Sequence, residues 1–177
     1  VLPRAFINAL TLPGELVFDP MAGSGTTLVE AILSGRRALG TDLDPLATLI
    51  SHIKTASPDR LHYARVGARV LHDARQCRLS EADTLDALRR EYRPTAVEFF
   101  EYWFEPPTIA ELYALIHTIR GVSDMAVRAF LEVVFSSIII TKSGQLTRAR
   151  DLAHSRPHRD PKRRVTHSAF QAFKERL

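Results

Sequence analysis

A chain of 177 residues with 45% hydrophobic content can bury one domain-sized core, and none of its apolar runs approaches the length of a membrane span. Its single cysteine, Cys77, excludes an internal disulfide framework and a cysteine-only zinc site, so the reducing cytoplasm is the expected compartment. The net charge of +4 is unevenly spread: residues 142–177 hold ten Lys or Arg against three Asp or Glu, leaving 14 against 17 in residues 1–141. Such a basic stretch is either an electrostatic footprint for phosphates or a solvated tail.

The first fifteen residues form a short amphipathic lead-in with Phe6, Ile7 and Leu10 on one face, suited to packing against a sheet. The informative stretch follows, from Leu16 to Pro45. Leu16, Val17 and Phe18 are an apolar run ending at Asp19-Pro20, where the proline disfavours helix at Asp19 and closes the strand. A turn containing Gly23 and Gly25 comes next, and Thr26-Thr27 opens a helix carrying Leu28, Ala31 and Ile32 on one side. That helix ends at Ser34-Gly35, and a second strand runs through Ala38, Leu39, Gly40 and Thr41 to Asp42. In a βαβ unit the two strands are parallel neighbours, so Asp19 and Asp42 leave the sheet at the same edge. The glycine turn and the helix N-terminus beside them make a cradle for an anionic group, and a carboxylate at that edge can accept both hydroxyls of a ribose.

Mismatches narrow the ligand. A dinucleotide fingerprint needs a small residue three places after its second glycine, and Leu28 stands there. A phosphate-binding loop needs Gly-Lys-Ser/Thr, and no lysine occurs between Val1 and Ile53. A nucleoside with a compact zwitterionic tail remains, and S-adenosylmethionine fits it.

The run DPMAGSGTT followed by GTDLDP resembles the cofactor motif of the DNA amino-methyltransferases, which modify N4 of cytosine or N6 of adenine. Met21 replaces that family's usual aromatic residue with another apolar cover. The resemblance, which spans roughly residues 12–47, implies a Rossmann-like class I methyltransferase fold: an α/β protein with a βαβ core, here with an incomplete parallel sheet and a large helical insertion. It implies S-adenosyl-L-methionine as cofactor, held by Asp19, Pro20, Met21, Ala22, Gly23, Ser24, Gly25, Thr26, Thr27, Asp42 and Leu43. DNA is the implied partner, with the basic segment 142–177 as one candidate contact.

Beyond Pro45 the pattern is helical for about a hundred residues. Leu46, Leu49, Ile50 and Ile53 form one face; Ser57-Pro58 then starts a helix reaching about Arg75, with Arg65, Arg69 and His72 in a basic stripe. That stripe fits a phosphate backbone or, more commonly, a solvated face. Ser80 caps a helix through Leu85 and Leu88, which Pro94 ends. The segment from Val97 to Phe104 is rich in aromatics and reads as core rather than as a base-stacking platform. Thr108 and Glu111 suggest a capping box, and Ser123 a cap for the helix after it. Residues 145–164 read as a long basic loop, and Ser168 to Leu177 as a short final helix. The expected division is a cofactor-binding βαβ core over residues 1–56, a helical region over 57–143, and a basic loop with a short helix over 144–177.

The family transfers its methyl group with a tetrapeptide of Asp, Asn or Ser, then Pro-Pro, then an aromatic residue. Glu105-Pro106-Pro107-Thr108 looks like a shadow of it, yet lacks the aromatic ring and a preceding apolar strand, so it is read as a helix start. No catalytic residue is therefore assigned within the chain. With Val1 in place of an initiating methionine, the 177 residues are expected to be part of a longer protein, with the tetrapeptide downstream. His154, His158 and His167 lack the spacing and companions of a metal site. An RNA methyltransferase sharing the glycine turn and a non-catalytic binding module are the alternatives.

Overall fold

The computed structural model describes residues 2–56, 59–139, 146–147 and 167–177. The chain forms two compact units, Val1–Asp59 and Arg60–Leu177. Together they make a mixed, mostly helical protein with one two-stranded parallel sheet among the described residues.

In the first unit, helix α1 (Leu2–Leu10) precedes strand β1 (Leu16–Asp19), helix α2 (Thr26–Leu33), strand β2 (Arg37–Gly40) and helix α3 (Pro45–Thr55). The strands pair in parallel, with Leu16 opposite Arg37 and Asp19 opposite Gly40. The pairing extends at both ends: Arg37 N–H donates to the Glu15 carbonyl at 2.8 Å, and Thr41 N–H to the Asp19 carbonyl at 3.0 Å.

A Cβ on Gly40 would lie 2.9 Å from Leu28 Cδ1, so this side of β2 lies directly on α2. Side chains alternate along a strand, so Ala38 shares that face while Leu39 points away. Leu16, Phe18 and Leu39 are all more than half exposed. The lead-in helix departs from expectation for the same reason: Ile7 is buried, but Phe6 and Leu10 remain exposed. Two strands are too narrow to cover the whole apolar side of α1. Polar links fix this helix instead, with Arg4 Nε 2.6 Å from the buried Glu30 carboxylate on α2. Arg36 adds a second tie, donating to the Thr11 carbonyl at 2.7 Å.

The second unit is helical: α4 (Arg60–Gln76), α5 (Glu81–Glu91), α6 (Pro94–Trp103), α7 (Pro106–Arg120), α8 (Met125–Ile139) and α9 (Ala169–Arg176). Its centre is α7, whose Leu115 and Ile119 are fully buried, packed among α4, α5, α8 and α9. A Cβ on Gly67 of α4 would meet the end of the Leu177 side chain, so glycine leaves room for that side chain to pack here.

Two caps differ from the sequence expectation. Helix α7 begins at Pro106 after Glu105, so Glu105-Pro106-Pro107-Thr108 is a helix start, but Thr108 is buried within the helix instead of capping it. Glu111 turns to α9, accepting from Ser168 Oγ at 2.8 Å and from Phe170 N–H at 3.2 Å. Asp124, not Ser123, caps α8, its Oδ1 accepting from Ala126 N–H at 3.0 Å and Val127 N–H at 3.1 Å. A carboxylate is the stronger acceptor at a helix N-terminus, which explains the shift by one residue. The aromatic helix α6 is mixed: Trp103 and the following Phe104 are buried, whereas Phe99 and Tyr102 stay exposed. Ser57-Pro58 and most of the expected basic loop lie outside the described residues.

Candidate functional site

The site forms where β1 and β2 both end. Asp19 closes β1, and its Oδ1 accepts Met21 N–H at 3.0 Å, bending the chain at once into the turn. Thr41 carries the edge of β2 across to the same turn, accepting Ala22 N–H at 3.0 Å on its carbonyl and donating its hydroxyl to the Pro20 carbonyl at 3.1 Å. The segment between the strand and α2 is therefore held from below by β2.

Two glycines shape the turn in different ways. Gly25 caps α2 with a left-handed φ of 81°, and a Cβ there would lie 2.7 Å from Ser51 Cβ on α3. Its N–H closes the turn onto the Ala22 carbonyl at 2.8 Å. Gly23 is also left-handed, with φ 51°, but a Cβ there would meet nothing within 4 Å. Gly25 is thus required by packing, while Gly23 faces open space.

Asp42 completes the arrangement. Its Oδ2 accepts Gly23 N–H at 2.8 Å and its Oδ1 accepts Asp44 N–H at 2.9 Å. These bonds from the Asp44 and Gly23 amides hold the carboxyl below its ordinary 3.8. Each oxygen retains a second lone pair for a further donor. Asp44 in turn caps α3, accepting Leu46 N–H at 2.8 Å. The sequence points to the first amides of α2 as ligand donors; those of Gly23 and Gly25, just before them, are taken by the Asp42 carboxylate and the Ala22 carbonyl. The N–H groups of Ser24, Thr26 and Thr27 have no acceptor among the described residues, and they stand at the positive end of α2.

Apolar side chains flank this polar edge. Met21 is 83% exposed and Leu43 fully exposed, whereas Ala22 is buried under the turn. The arrangement offers unpaired amide donors, two ionisable carboxylates and two uncovered apolar side chains within one strand edge. It suits a ligand with hydroxyls, a carboxylate and an apolar planar body. Ser51 was not foreseen. Its only signal is a small residue in the middle of α3, which becomes meaningful once Gly25 is packed against it.

Other sequence candidates fall elsewhere. Arg65, Arg69 and His72 are exposed on α4. Tyr113 and His117 of α7 meet Glu91 of α5, with Tyr113 Oη 2.6 Å and His117 Nε2 3.3 Å from its carboxylate. Burial, together with that acceptor, pushes the Tyr113 phenol up to about 12, and the same bond lowers Glu91. Among the described residues no group of three or more His, Cys, Asp or Glu is positioned to hold a metal ion; His154 and His158 lie outside them. No described helix is long and apolar enough to cross a membrane.

Residues 1–51 match the family described as DNA methylase, of the N6- and N4-modifying class. The type II methyltransferase M.MvaI of Kocuria varians is 25% identical over 126 residues, covering 70% of this chain and 26% of that protein. This alignment is longer than the first unit and so extends into the helical residues. The type II methyltransferase M.MjaII of Methanocaldococcus jannaschii is 39% identical over 46 residues, or 26% of this chain and 9% of its own length. The putative methylase YubD of Escherichia coli is 48% identical over 40 residues, or 23% and 18%. The matches therefore span about a quarter or less of these curated relatives. No solved structure matches the chain.

Proposed function

We propose that this chain, a member of the DNA amino-methyltransferase family through residues 1–51, is the S-adenosyl-L-methionine-binding part of an enzyme that methylates an exocyclic amino group of DNA, N4 of cytosine or N6 of adenine. The observation that carries the reading is the shared edge of β1 and β2, where Asp19, the glycine turn and Asp42 converge. The first unit is then the start of a Rossmann-like core, and its βαβ topology supports that reading.

Within it, Asp42 accepts the ribose hydroxyls on the lone pairs its backbone bonds leave unused. The amides of Ser24, Thr26 and Thr27 meet the amino acid carboxylate, and Asp19 meets the ammonium. Pro20, Ala22 and Gly25 shape the turn, Gly23 leaves room for the cofactor, and Met21 and Leu43 cover the adenine. When bound, the cofactor supplies an electrophilic methyl sulfonium, so a neutral amine can take the methyl group directly. The role of the first unit is to bind and orient that group. No catalytic residue is assigned among the described residues, because Pro106-Pro107 is built into the first turn of α7.

Calorimetric titration of the chain with S-adenosylmethionine tests the assignment. Binding is expected, and Asp42→Ala should weaken it by at least about tenfold, from the loss of charge-assisted hydrogen bonds. Equal binding by the two proteins would remove Asp42 from the site, and no binding by the unaltered chain would sink the proposal.

A further inference from the structure

Some of the described arginines have acidic or polar partners and others do not. Arg4 pairs with Glu30, Arg36 donates to Thr11, Arg89 lies near Asp86 and Glu101, and Arg128 reaches Glu132. Arg65 and Arg69 of α4 make no ion pair or hydrogen bond among the described residues, and both are exposed. Asp73 lies one turn beyond Arg69, yet it forms no ion pair with it.

At 3.6 residues per turn, Arg65, Arg69 and His72 lie within an arc of about 60° and extend about 10 Å along the helix. Two arginines at i and i+4 repel each other, and neither is ion-paired with an acid among the described residues. The opposite side of α4 is fixed by Gly67, Val70, Leu71 and Ala74, all buried. Gly67 packs against the ends of the Leu177 and Leu131 side chains, so this side of the helix is held by apolar contacts. The positive stripe is thus presented at a set orientation.

We propose that this face of α4 binds the sugar-phosphate backbone of double-stranded DNA, with Arg65 and Arg69 each contacting a phosphate and His72 extending the stripe. The inference rests on the proposed function for the choice of partner; the face shares no residue with the proposed cofactor site. Guanidinium groups suit phosphate through paired N–H donors, and regularly spaced charges with no acidic partner suit a regularly charged polymer. Backbone contacts of this kind position an enzyme on its substrate without reading sequence.

Fluorescence anisotropy with a labelled duplex tests the proposal, using the full chain and an Arg65→Ala/Arg69→Ala variant across a salt series. Alanine favours helix, so the variant should keep its circular dichroism and melting temperature. The expected result is weaker duplex binding, a slope of log affinity against log salt shallower by about 2, and unchanged S-adenosylmethionine binding. Arg65→Lys/Arg69→Lys should restore the slope. Unchanged affinity and slope in the alanine variant would overturn the proposal, as would polyglutamate competing as well as unlabelled duplex. If cofactor binding fails while the duplex result holds, the proposed function falls and the α4 surface stands.

Discussion

Asp42 Oδ2 accepts the backbone N–H of Gly23 at 2.8 Å, so the carboxylate at the end of β2 holds the glycine turn that follows β1. The same oxygens proposed to receive a ribose also keep the turn in shape. Replacing Asp42 with asparagine should therefore separate two effects. Its carbonyl oxygen can still accept from Gly23 while Asp44 N–H loses its acceptor, so the fold should survive with a modest loss of stability, and the loss of charge should weaken S-adenosylmethionine binding. Paired calorimetry and thermal melting would reveal a common loss if Asp42 were only structural.

Acid should expose the same residue through stability. Its folded pKa lies below the ordinary 3.8, so its contribution is present above that value and fades as pH falls through the folded one. Asp124 behaves alike in the second unit, lowered chiefly by the Val127 amide, with Ala126 and His62 assisting. Denaturant melts between pH 5 and pH 2, values chosen to bracket the carboxylate range, should show Asp42→Asn losing less stability on acidification than the unaltered chain. Parallel curves would contradict this.

The two glycines of the turn predict different outcomes. Gly25→Ala adds a Cβ 2.7 Å from Ser51 on top of an unfavourable φ, and should cost about 2 kcal/mol or more. Gly23→Ala carries only the left-handed cost, about 1 kcal/mol, and its methyl group enters open space. Chemical denaturation should rank Gly25→Ala as the less stable, while Gly23→Ala should stay folded and lose cofactor affinity.

At high pH the Tyr113 phenol provides a reporter for the second unit. Its pKa of about 12 exceeds the unfolded value near 10, so its stabilising effect is full below pH 10 and is lost as pH rises toward 12. Ultraviolet titration should find one tyrosine ionising late, and Tyr113→Phe should abolish that step. A late step that persisted in Tyr113→Phe would assign it elsewhere.

Glu111 offers a test of packing between α7 and α9. Its carboxylate accepts from Ser168 Oγ and the Phe170 amide, a cap supplied by a different helix. Glu111→Ala should destabilise the second unit by about 1 kcal/mol, and Ser168→Ala in that background should add less than it does alone. Additive losses in the double-mutant cycle would indicate independent roles.

Much of the first unit could be read directly from residue order. The run from Leu16 to Asp42 contains its own punctuation: Pro20 ends a strand, Gly25 opens a helix, and Gly35 closes it. Most helices of the second unit were legible from periodicity for the same reason, since their starts and stops are local. Caps were less so. Glu111 and Asp124 were each misjudged because the acceptor that wins a helix N-terminus depends on which carboxylate the fold brings there, and Glu111 serves a helix 57 residues away. The expected packing of Phe6 and Leu10 failed for a related reason, since a helical pattern announces an apolar face but not the area available to cover it.

By itself the sequence determined the order of elements and the chemistry at the strand edge, because turns, strand ends and helix starts depend on neighbouring residues. Tertiary structure decided which of those groups remain available. Gly23 and Gly25 look alike in the chain; only the packing of α3 makes one a contact for Ser51 and leaves the other facing open space. Asp42 looks like a ligand group alone, and only the return of β2 beside β1 makes it the support of the glycine turn. Distances between residues far apart in sequence are properties of the folded backbone, which no local pattern encodes.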